Sequence, residues 1–165
     1  MSENTAKRGR SSTVIATRVN WLGNRLVTTA SATYGQIGLG FLDARLLLLL
    51  GRRPDITAAR IAEIVGVDAA AVSRAVKSLK ARHLITEARG PLRSLSLTDQ
   101  GKVLWHQIEK ISDEREVRLL RGFTEEEAEQ VLNYLSRMLD NMAEVALLAE
   151  QVQELIGART PEVVG

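Results

Sequence analysis

The feature that most restricts the fold of this chain is the stretch IAEIVGVDAAAVSRAVKSL, residues 61–79, in which one glycine separates two helix-like apolar patterns. Ala62, Gly66 and Val72 follow one another at intervals of four and six residues, which is the spacing of a helix-turn-helix. The small Ala62 lets two helices approach, and glycine accommodates a left-handed turn. Val72 then packs the second helix on the first. The stretch therefore predicts two short helices joined at a fixed angle.

Two short segments with alternating apolar residues follow this helix pair. Residues 84–88 and 94–97 flank the sequence RGPLR, and Gly-Pro is typical of a hairpin tip. Two helices followed by a strand, a basic tip and a second strand give the order of a winged helix. We therefore predict a mainly α fold with a small β-hairpin wing, in which a winged helix-turn-helix is combined with N- and C-terminal dimerisation helices.

The dimerisation helices are inferred from apolar stripes that a small winged helix does not bury. Four residues recur at helical spacing in the first helix: Ile15, Val19, Leu22 and Leu26. A Thr124–Glu127 capping box opens a last helix whose apolar stripe is predicted to continue without interruption to Val145. Because each stripe needs a partner, we expect two copies of the chain to cover them.

The chain divides into five predicted segments. These are a flexible basic tail (1–12), an N-terminal dimerisation helix with its connection (13–40), a winged helix-turn-helix lobe (41–98), long C-terminal dimerisation helices (99–156) and a flexible tail (157–165). The five leucines at 46–50 predict a central, buried helix in the lobe. In the helix that Thr98 caps, four residues are predicted to face inward: Val103, Leu104, Ile108 and Ile111.

Charge is distributed unevenly along the chain. Residues 52–93 contain nine Lys or Arg against four Asp or Glu, whereas residues 109–150 contain five against eleven. A basic lobe joined to an acidic scaffold is typical of a protein that binds a polyanion such as DNA. A basic face that is merely solvated is the alternative interpretation.

The second helix of the pair has small and basic side chains in the pattern that DNA recognition requires. A major groove about 12 Å wide favours small residues at the leading end of the helix, and Ala70 and Ala71 occupy that end. Ser73, Arg74 and Lys77 follow within helical reach of base edges or phosphates. The alternative is an alanine-rich structural helix with a solvated basic face.

Two arginines bracket the predicted wing tip, Arg89 and Arg93. An extended hairpin beside a groove-binding helix brings such side chains to phosphates or to the neighbouring minor groove. For each arginine taken singly, a solvated position on the hairpin is the alternative.

Residues 14–150 as a whole resemble the MarR (multiple antibiotic resistance regulator) family of winged-helix transcription factors. The matching sequences are ARIAEIVGVDAAAVSRAVKSLKARHLI in the helix pair and LSLTDQG after the wing, with flanking helices at both ends. The resemblance implies a homodimer with intertwined terminal helices that binds double-stranded DNA and, in most members, represses transcription until a small aromatic or phenolic molecule releases it. The family's wing usually has an acidic residue two before an arginine, whereas Arg89 and Pro91 occupy those places here.

The resemblance also implies an effector site between the dimerisation helices and the DNA-binding lobe. Seven residues are candidates for it: Arg18, Trp21, Arg25, Phe41, Arg45, Trp105 and His106. Arginine beside tryptophan suits an aromatic acid, a phenolic compound or an acyl thioester, through ion pairing and stacking. The alternative is that the tryptophans anchor the core or an interface and that the arginines pair with acids such as Asp113 or Glu116.

Other classes of function have less support in the sequence. The chain has no cysteine, which excludes disulfides and thiolate metal sites. No carboxylate spacing around His83 or His106 suggests a metal site, and GQIGLG follows a predicted helix rather than a strand, so we predict no enzyme, metal or cofactor. The longest apolar run is too short to cross a bilayer, and we expect a cytoplasmic protein. The remaining alternative is a winged helix that binds an acidic protein rather than specific DNA.

Overall fold

The computed structural model describes residues 3–88 and 92–157, and the side chains of residues 14–88, 92–148, 151 and 152. Its elements are α1 (Glu3–Gly35), α2 (Phe41–Arg52), α3 (Ala58–Val65), α4 (Ala69–Ala81), β1 (Ile85–Glu87), β2 (Leu95–Leu97), α5 (Asp99–Leu119), α6 (Glu125–Asp140) and α7 (Met142–Gly157). They form two compact units that divide within α5, after Glu114. The mainly α fold with one two-stranded hairpin confirms the predicted fold class.

Helix α2 lies at the centre of the first unit, as the five-leucine run predicts. Its buried residues are Ala44, Leu46, Leu47 and Leu50. Each neighbouring element contributes at least one buried residue to the same core: Tyr34 from α1, Ile61 from α3, Leu79 from α4, Leu95 from β2 and Ile108 from α5. Complete burial of a leucine stabilises a fold by about 1.5–3 kcal/mol, so contacts with α2 set the positions of the helices around it.

Helix α5 begins in close contact with the segment that follows α4. Thr98 Oγ1 donates a hydrogen bond to the His83 carbonyl oxygen (2.7 Å) and accepts one from the Gly101 backbone N–H (3.0 Å). Thr98 therefore caps α5 as predicted. Gly101 is buried, and a Cβ atom at this position would collide with the Leu84 carbonyl oxygen. The contact thus requires a residue without a side chain.

The wing is an antiparallel hairpin in which Ile85 lies opposite Leu97. This pairing confirms the predicted hairpin, although each strand is shorter than its predicted segment. Leu95 also pairs with the segment before α3, because the Asp55 N–H donates to the Leu95 carbonyl oxygen (3.1 Å) and the Leu95 N–H donates to the Ile56 carbonyl oxygen (2.9 Å). The sequence did not predict this bridge, since one apolar residue after a proline has no strand pattern. The bridge attaches the wing to the start of the helix pair.

In the second unit, a capping box opens α6 as predicted. Thr124 Oγ1 accepts a hydrogen bond from the Glu127 N–H (3.2 Å), and Glu127 Oε2 accepts one from the Thr124 N–H (2.9 Å). The predicted uninterrupted helix is wrong, because α6 ends at Asp140 and α7 begins at Met142. Asn141 separates them with φ −76° and ψ −7°. Adjacent short polar side chains compete with the backbone for hydrogen bonds, which disfavours a continuous helix there.

Two further expectations are corrected in the first unit. Helix α1 begins at Glu3, so residues 3–12, which were assigned to the tail, belong to the helix; the segment has no proline and contains alanine, lysine and arginine, which favour helix. Val103 was predicted to face inward but is 63% exposed. Leu104, Ile108 and Ile111 form the inner stripe of α5 without it, and Val103 lies about 100° around the helix from Leu104.

We expect Gly101→Ala to lower the free energy of unfolding by about 2–3 kcal/mol, because the added methyl group must displace backbone rather than a flexible side chain. Gly35→Ala is the matched control, since a Cβ there meets nothing within 4 Å, and it should leave the stability unchanged or raise it by up to ~1 kcal/mol. Urea unfolding at one fixed protein concentration measures both. Equal losses in the two variants would contradict the close contact.

Candidate nucleic-acid interface

Helices α3 and α4 form the predicted helix-turn-helix, with a defined cap at each junction. Thr57 Oγ1 accepts a hydrogen bond from the Arg60 N–H (3.2 Å) at the start of α3, and Gly66 ends α3 in the left-handed conformation with φ +68°. Asp68 Oδ1 accepts a hydrogen bond from the Ala71 N–H (2.8 Å) at the start of α4. The sequence predicts all three positions, because Thr57 and Asp68 are residue types that cap helix N-termini and Gly66 accepts the left-handed conformation, and the structure confirms them. They satisfy backbone groups that the helix ends would leave unpaired, and they fix where α4 begins.

Helix α4 has one buried and one exposed face. Val72, Ala75 and Leu79 are buried in the core. Four of the predicted DNA contacts are exposed on α4: Ala70, Ser73, Arg74 and Lys77. A fifth, Ala71, is half-buried. The sequence-predicted set on α4 therefore lies at the surface, with two cations and small side chains available to a partner.

A cleft of about 500 Å³ separates α4 from the wing. Ser73, Lys77 and Lys80 line it on the α4 side, and Leu92 and Arg93 line it on the wing side. The base of α3 completes the walls through small side chains. Lys77 and Lys80 of α4 and Arg93 of the wing thus face one common space, whereas Arg74 lines a separate, smaller cleft beside α2.

The predicted wing contact Arg93 is already bound to a carboxylate. Its Nη2 donates a hydrogen bond to Glu87 Oε2 (3.1 Å) and its Nε lies 3.0 Å from Glu87 Oε1 in an ion pair, while Lys80 Nζ donates to Glu87 Oε2 (2.5 Å). The hydrogen bonds from Lys80 and Arg93 hold the pKa of Glu87 below its ordinary value, so the carboxylate is charged at neutral pH. Arg89, the other predicted wing contact, lies outside the described residues.

Polar contacts also attach the back of α4 to the start of α2. Ser78 Oγ donates a hydrogen bond to Asp43 Oδ2 (3.3 Å), and Arg82 Nη1 donates one to the Gly38 carbonyl oxygen (3.1 Å). Burial raises the pKa of Asp43, against the opposing effects of the Ser78 hydrogen bond and the Arg82 charge. These contacts supplement the apolar packing that holds α4 in place.

Two of the predicted effector arginines lie over aromatic rings of their own helices. Arg18 Cζ is 5.8 Å from the centre of the Trp21 ring on α1, and Arg45 Cζ is 5.4 Å from the centre of the Phe41 ring on α2. Both distances fall within the cation–π range of about 6 Å. Arg45 Nη2 also donates a hydrogen bond to the Val65 carbonyl oxygen (3.3 Å), and burial lowers the pKa of Arg45. Arg45 therefore also links α2 to the end of α3.

The remaining effector candidates lie on α1 and α5. Arg25 is exposed, and the rings of Trp105 and His106 are 4.5 Å apart. Trp105 packs against Gly51, where a Cβ atom would collide with the indole, and its buried Nε1 has no hydrogen-bond partner among the described residues. Neither the wing cleft nor a smaller cleft of about 320 Å³ beside α2 and α4 is lined by any of the seven candidates. A common effector site stays a prediction.

Comparisons with known proteins match this architecture. A family model described as MarR family matches residues 37–93, which extend from the approach to α2 through the wing. A MarR/EmrR family transcriptional regulator from Acinetobacter sp. ADP1 has a similar crystal structure, with a TM-score of 0.75 and 28% identity, covering 81% of this chain and 97% of that chain. Residues 37–93 thus match the MarR family, and the chain as a whole resembles MarR-family transcriptional regulators.

Two other known proteins are also similar to this chain. The uncharacterized HTH-type transcriptional regulator YdgJ from Bacillus subtilis (strain 168) is 29% identical over 112 residues, which are 64% of this chain and 66% of that protein, slightly under two thirds of its length. The crystal structure of the S. aureus MepR–DNA complex has the same fold, with a TM-score of 0.65 and 23% identity, covering 75% of this chain and 93% of that chain.

The candidate interface includes residues that the sequence analysis did not single out: Asp43, Ser78, Lys80, Arg82 and Glu87. Two of them had a visible signal, because Lys80 follows Lys77 by three residues and Asp43 is the one acid in the apolar α2 sequence. Glu87 had none, since only the fold brings it to Lys80. Among the described residues, no group of three or more His, Asp or Glu side chains is arranged to hold a metal ion. Within the same residues, every helix is too short or too polar to cross a membrane.

Proposed function

We propose that this chain is a ligand-responsive transcriptional repressor that binds a pseudo-palindromic operator as a homodimer, in the cytoplasm. The observation that carries the proposal is that α4 is packed in the core along one face and exposes its cations on the other. Val72 and Leu79 hold one face in the core, while Arg74 and Lys77 are exposed beside small side chains. A rigidly held helix of this composition suits the major groove, where small residues permit close approach and cations meet base edges and phosphates.

The exposed residues of α4 have distinct proposed roles. Ala70 and Ala71, at the start of the helix, permit close approach to the groove. Arg74 is proposed to donate two parallel hydrogen bonds to a guanine, the commonest base-specific contact of arginine. Lys77, less than one turn further on, and Ser73 are proposed to bind phosphates or base edges. Sequence preference would therefore depend mainly on Arg74.

The wing is proposed to approach the DNA backbone beside α4. Arg89 and Arg93 are its candidate contacts with phosphates or the minor groove. The position of Arg93 beside the cleft supports this role, although Glu87 binds it in the free protein.

Exposed apolar side chains in each unit support the homodimer. On α1 they include Val14, Ile15, Val19, Trp21 and Leu22. On α6 and α7 they include Leu132, Leu135, Leu139, Met142 and Val145. Burial stabilises by about 25 cal/mol per Å² of apolar area, so covering these stripes would favour association strongly. A twofold dimer would place two α4 helices about 34 Å apart, which matches a near-palindrome read on one side of the duplex.

The proposed effector is an aromatic acid, a phenolic compound or an acyl thioester. Its support is the pairing of arginine with an aromatic ring at Arg18–Trp21 and at Arg45–Phe41. A guanidinium binds a carboxylate or phosphate, and the adjacent ring stacks on an aromatic group. A ligand can release DNA by favouring a dimer in which the distance between the two α4 helices does not match the operator. A coupling free energy of about 1–3 kcal/mol between ligand binding and DNA binding is enough.

Arg74→Ala should weaken binding to the operator by about 1–3 kcal/mol and relax the base preference at one position, because the guanine contact is lost. Lys77→Ala is the matched control on the same face; it should weaken binding to all duplexes about equally and lower the salt slope by about 0.9 for each subunit of the dimer. Selection of duplexes from a random pool identifies the operator, and fluorescence anisotropy across a salt series measures both effects.

An unchanged base preference in Arg74→Ala would remove this residue from the reading role. If the unmodified protein shows no preference among duplexes at low ionic strength, DNA reading by α4 is wrong, and a winged helix that binds an acidic protein becomes the better interpretation.

At micromolar concentration the protein should sediment as a dimer, and Leu139→Glu should shift it toward monomer while weakening operator binding. The reason is that Leu139 is 71% exposed within its unit, and a charge there would oppose its burial by a second copy. Leu92→Glu is the control for oligomeric state, because Leu92 is equally exposed but lies on the wing. A monomeric unmodified protein would contradict the proposed assembly.

Within a panel of aromatic carboxylates, phenols and acyl thioesters, at least one compound should reduce operator affinity by about 5–150-fold, the usual range of allosteric coupling. Arg18→Ala should weaken this response without changing operator affinity in the absence of compound, whereas Arg52→Ala, at the exposed end of α2, should leave the response intact. Undiminished operator affinity across the whole panel would overturn the effector proposal.

A further inference from the structure

Glu87 lies between two cations that belong to different elements of the interface. Lys80 reaches it from the last turn of α4, and Arg93 reaches it from the opposite side of the wing with two guanidinium nitrogens. The Glu87 side chain is 19% exposed, whereas those of Lys80 and Arg93 are 42% and 71% exposed. The carboxylate is thus shielded beneath two cations that stay accessible to solvent.

A carboxylate at this position requires an explanation, because it lies where a polyanion is expected to bind. Among the described residues that line the wing cleft, Glu87 is the one acid, and the cations are Lys77, Lys80 and Arg93. An unshielded negative charge there would repel phosphates. Lys80 and Arg93 neutralise this carboxylate. As a consequence, these two cations have less positive charge available for binding the phosphates of DNA.

The backbone of Arg93 supports a defined position for this side chain. Its φ of +44° lies in the left-handed region, which residues other than glycine rarely adopt. The hydrogen bond from Nη2 and the ion pair of Nε, both with Glu87, hold the guanidinium in this position. Glu87 therefore orients Arg93 toward α4 in the free protein.

We propose that Glu87 is a specificity-determining positioning residue. In the free protein and on unrelated DNA, Glu87 binds Lys80 and Arg93. Only when operator DNA fits closely against the protein do these two cations leave Glu87 and bind phosphates. The proposal rests on the proposed DNA-binding function. Non-specific binding is driven by counterion release, and each phosphate-neutralising cation contributes about 0.9 to the salt slope. At 0.1 M salt, one cation fewer corresponds to roughly eightfold weaker non-specific binding.

The test is Glu87→Gln in the full chain, which keeps the size of the side chain and removes its charge. On a random-sequence duplex, the salt slope should steepen by up to about 1.8 for each subunit of the dimer, the contribution of two cations. On the operator, where both cations already contact phosphates, the slope should stay within about 0.3 of the unmodified value. The ratio of operator to random affinity should therefore fall roughly tenfold or more at 0.1 M salt. Glu63→Gln is the matched control, since it removes one charge from the same lobe but releases only Arg60, its exposed neighbour on α3.

A second set of variants tests the proposal even if Glu87→Gln is poorly folded. In the unmodified background, Lys80→Gln and Arg93→Gln should each leave the salt slope on random duplex unchanged, because Glu87 already retains these cations, whereas Lys77→Gln should lower it by about 0.9 for each subunit. A loss of about 0.9 for each subunit in Lys80→Gln or Arg93→Gln on random duplex would overturn the proposal. So would an equal steepening on operator and random duplex in Glu87→Gln.

Failure of this inference is distinguishable from failure of the proposed function. If the unmodified protein prefers its operator and Glu87→Gln changes neither slope nor affinity ratio, the role of Glu87 is wrong while DNA recognition stands. If the unmodified protein shows no operator preference, the proposed function itself is overturned, and the role of Glu87 with it.

Discussion

Burial of one face of α4 against α2 is the contact on which the other features of the first unit depend. Val72 and Leu79 are almost completely excluded from solvent, as are Leu46, Leu47 and Leu50 of α2. Because apolar burial is the largest favourable contribution to folding, this contact determines which side of α4 faces outward. Arg74 and Lys77 are exposed as a direct result. The side of α4 that is proposed to face DNA is thus the side that the core does not bury.

The polar contacts around α4 make the orientation more specific than packing alone would. Asp68 caps the first turn, Ser78 binds Asp43 of α2, and Lys80 binds Glu87 of the wing. The Asp68 cap fixes where α4 begins, and the other two contacts link its last turn to α2 and to the wing. A helix held at both ends can present side chains with the small positional tolerance that base reading needs. The proposed function therefore rests on structural contacts as much as on the exposed cations.

The exposed apolar residues have a different origin from the exposed cations. Within each unit, α1 and α6 keep large side chains such as Trp21 and Leu132 in contact with solvent, although extended apolar surface is uncommon on stable monomers. Local sequence explains both helices well, since their stripes follow helical spacing and Thr124 begins α6. Within the described residues, neither unit contains a partner that covers these stripes. The proposed partner is therefore a second copy of the chain.

The sequence alone determined the features that arise from neighbours along the chain. The caps at Thr57, Asp68 and Thr98, the left-handed Gly66 and the hairpin all follow from interactions within a few residues, where side-chain chemistry nearly specifies backbone geometry. The resemblance to the MarR family extended the prediction to the overall fold and to the proposed DNA interface on α4. Prediction failed where local preferences were nearly balanced, as at Asn141, or where a residue lay beside a stripe, as Val103 does.

Tertiary structure decided the contacts between residues distant in sequence. The bridge of Ile56 to Leu95, the approach of Gly101 to the Leu84 carbonyl and the position of Glu87 between Lys80 and Arg93 have no periodic signal. The physical reason is that each depends on the distance and angle between whole elements, which burial of the common core fixes. Local propensity specifies the helices and the hairpin, but only their packing determines which charges meet.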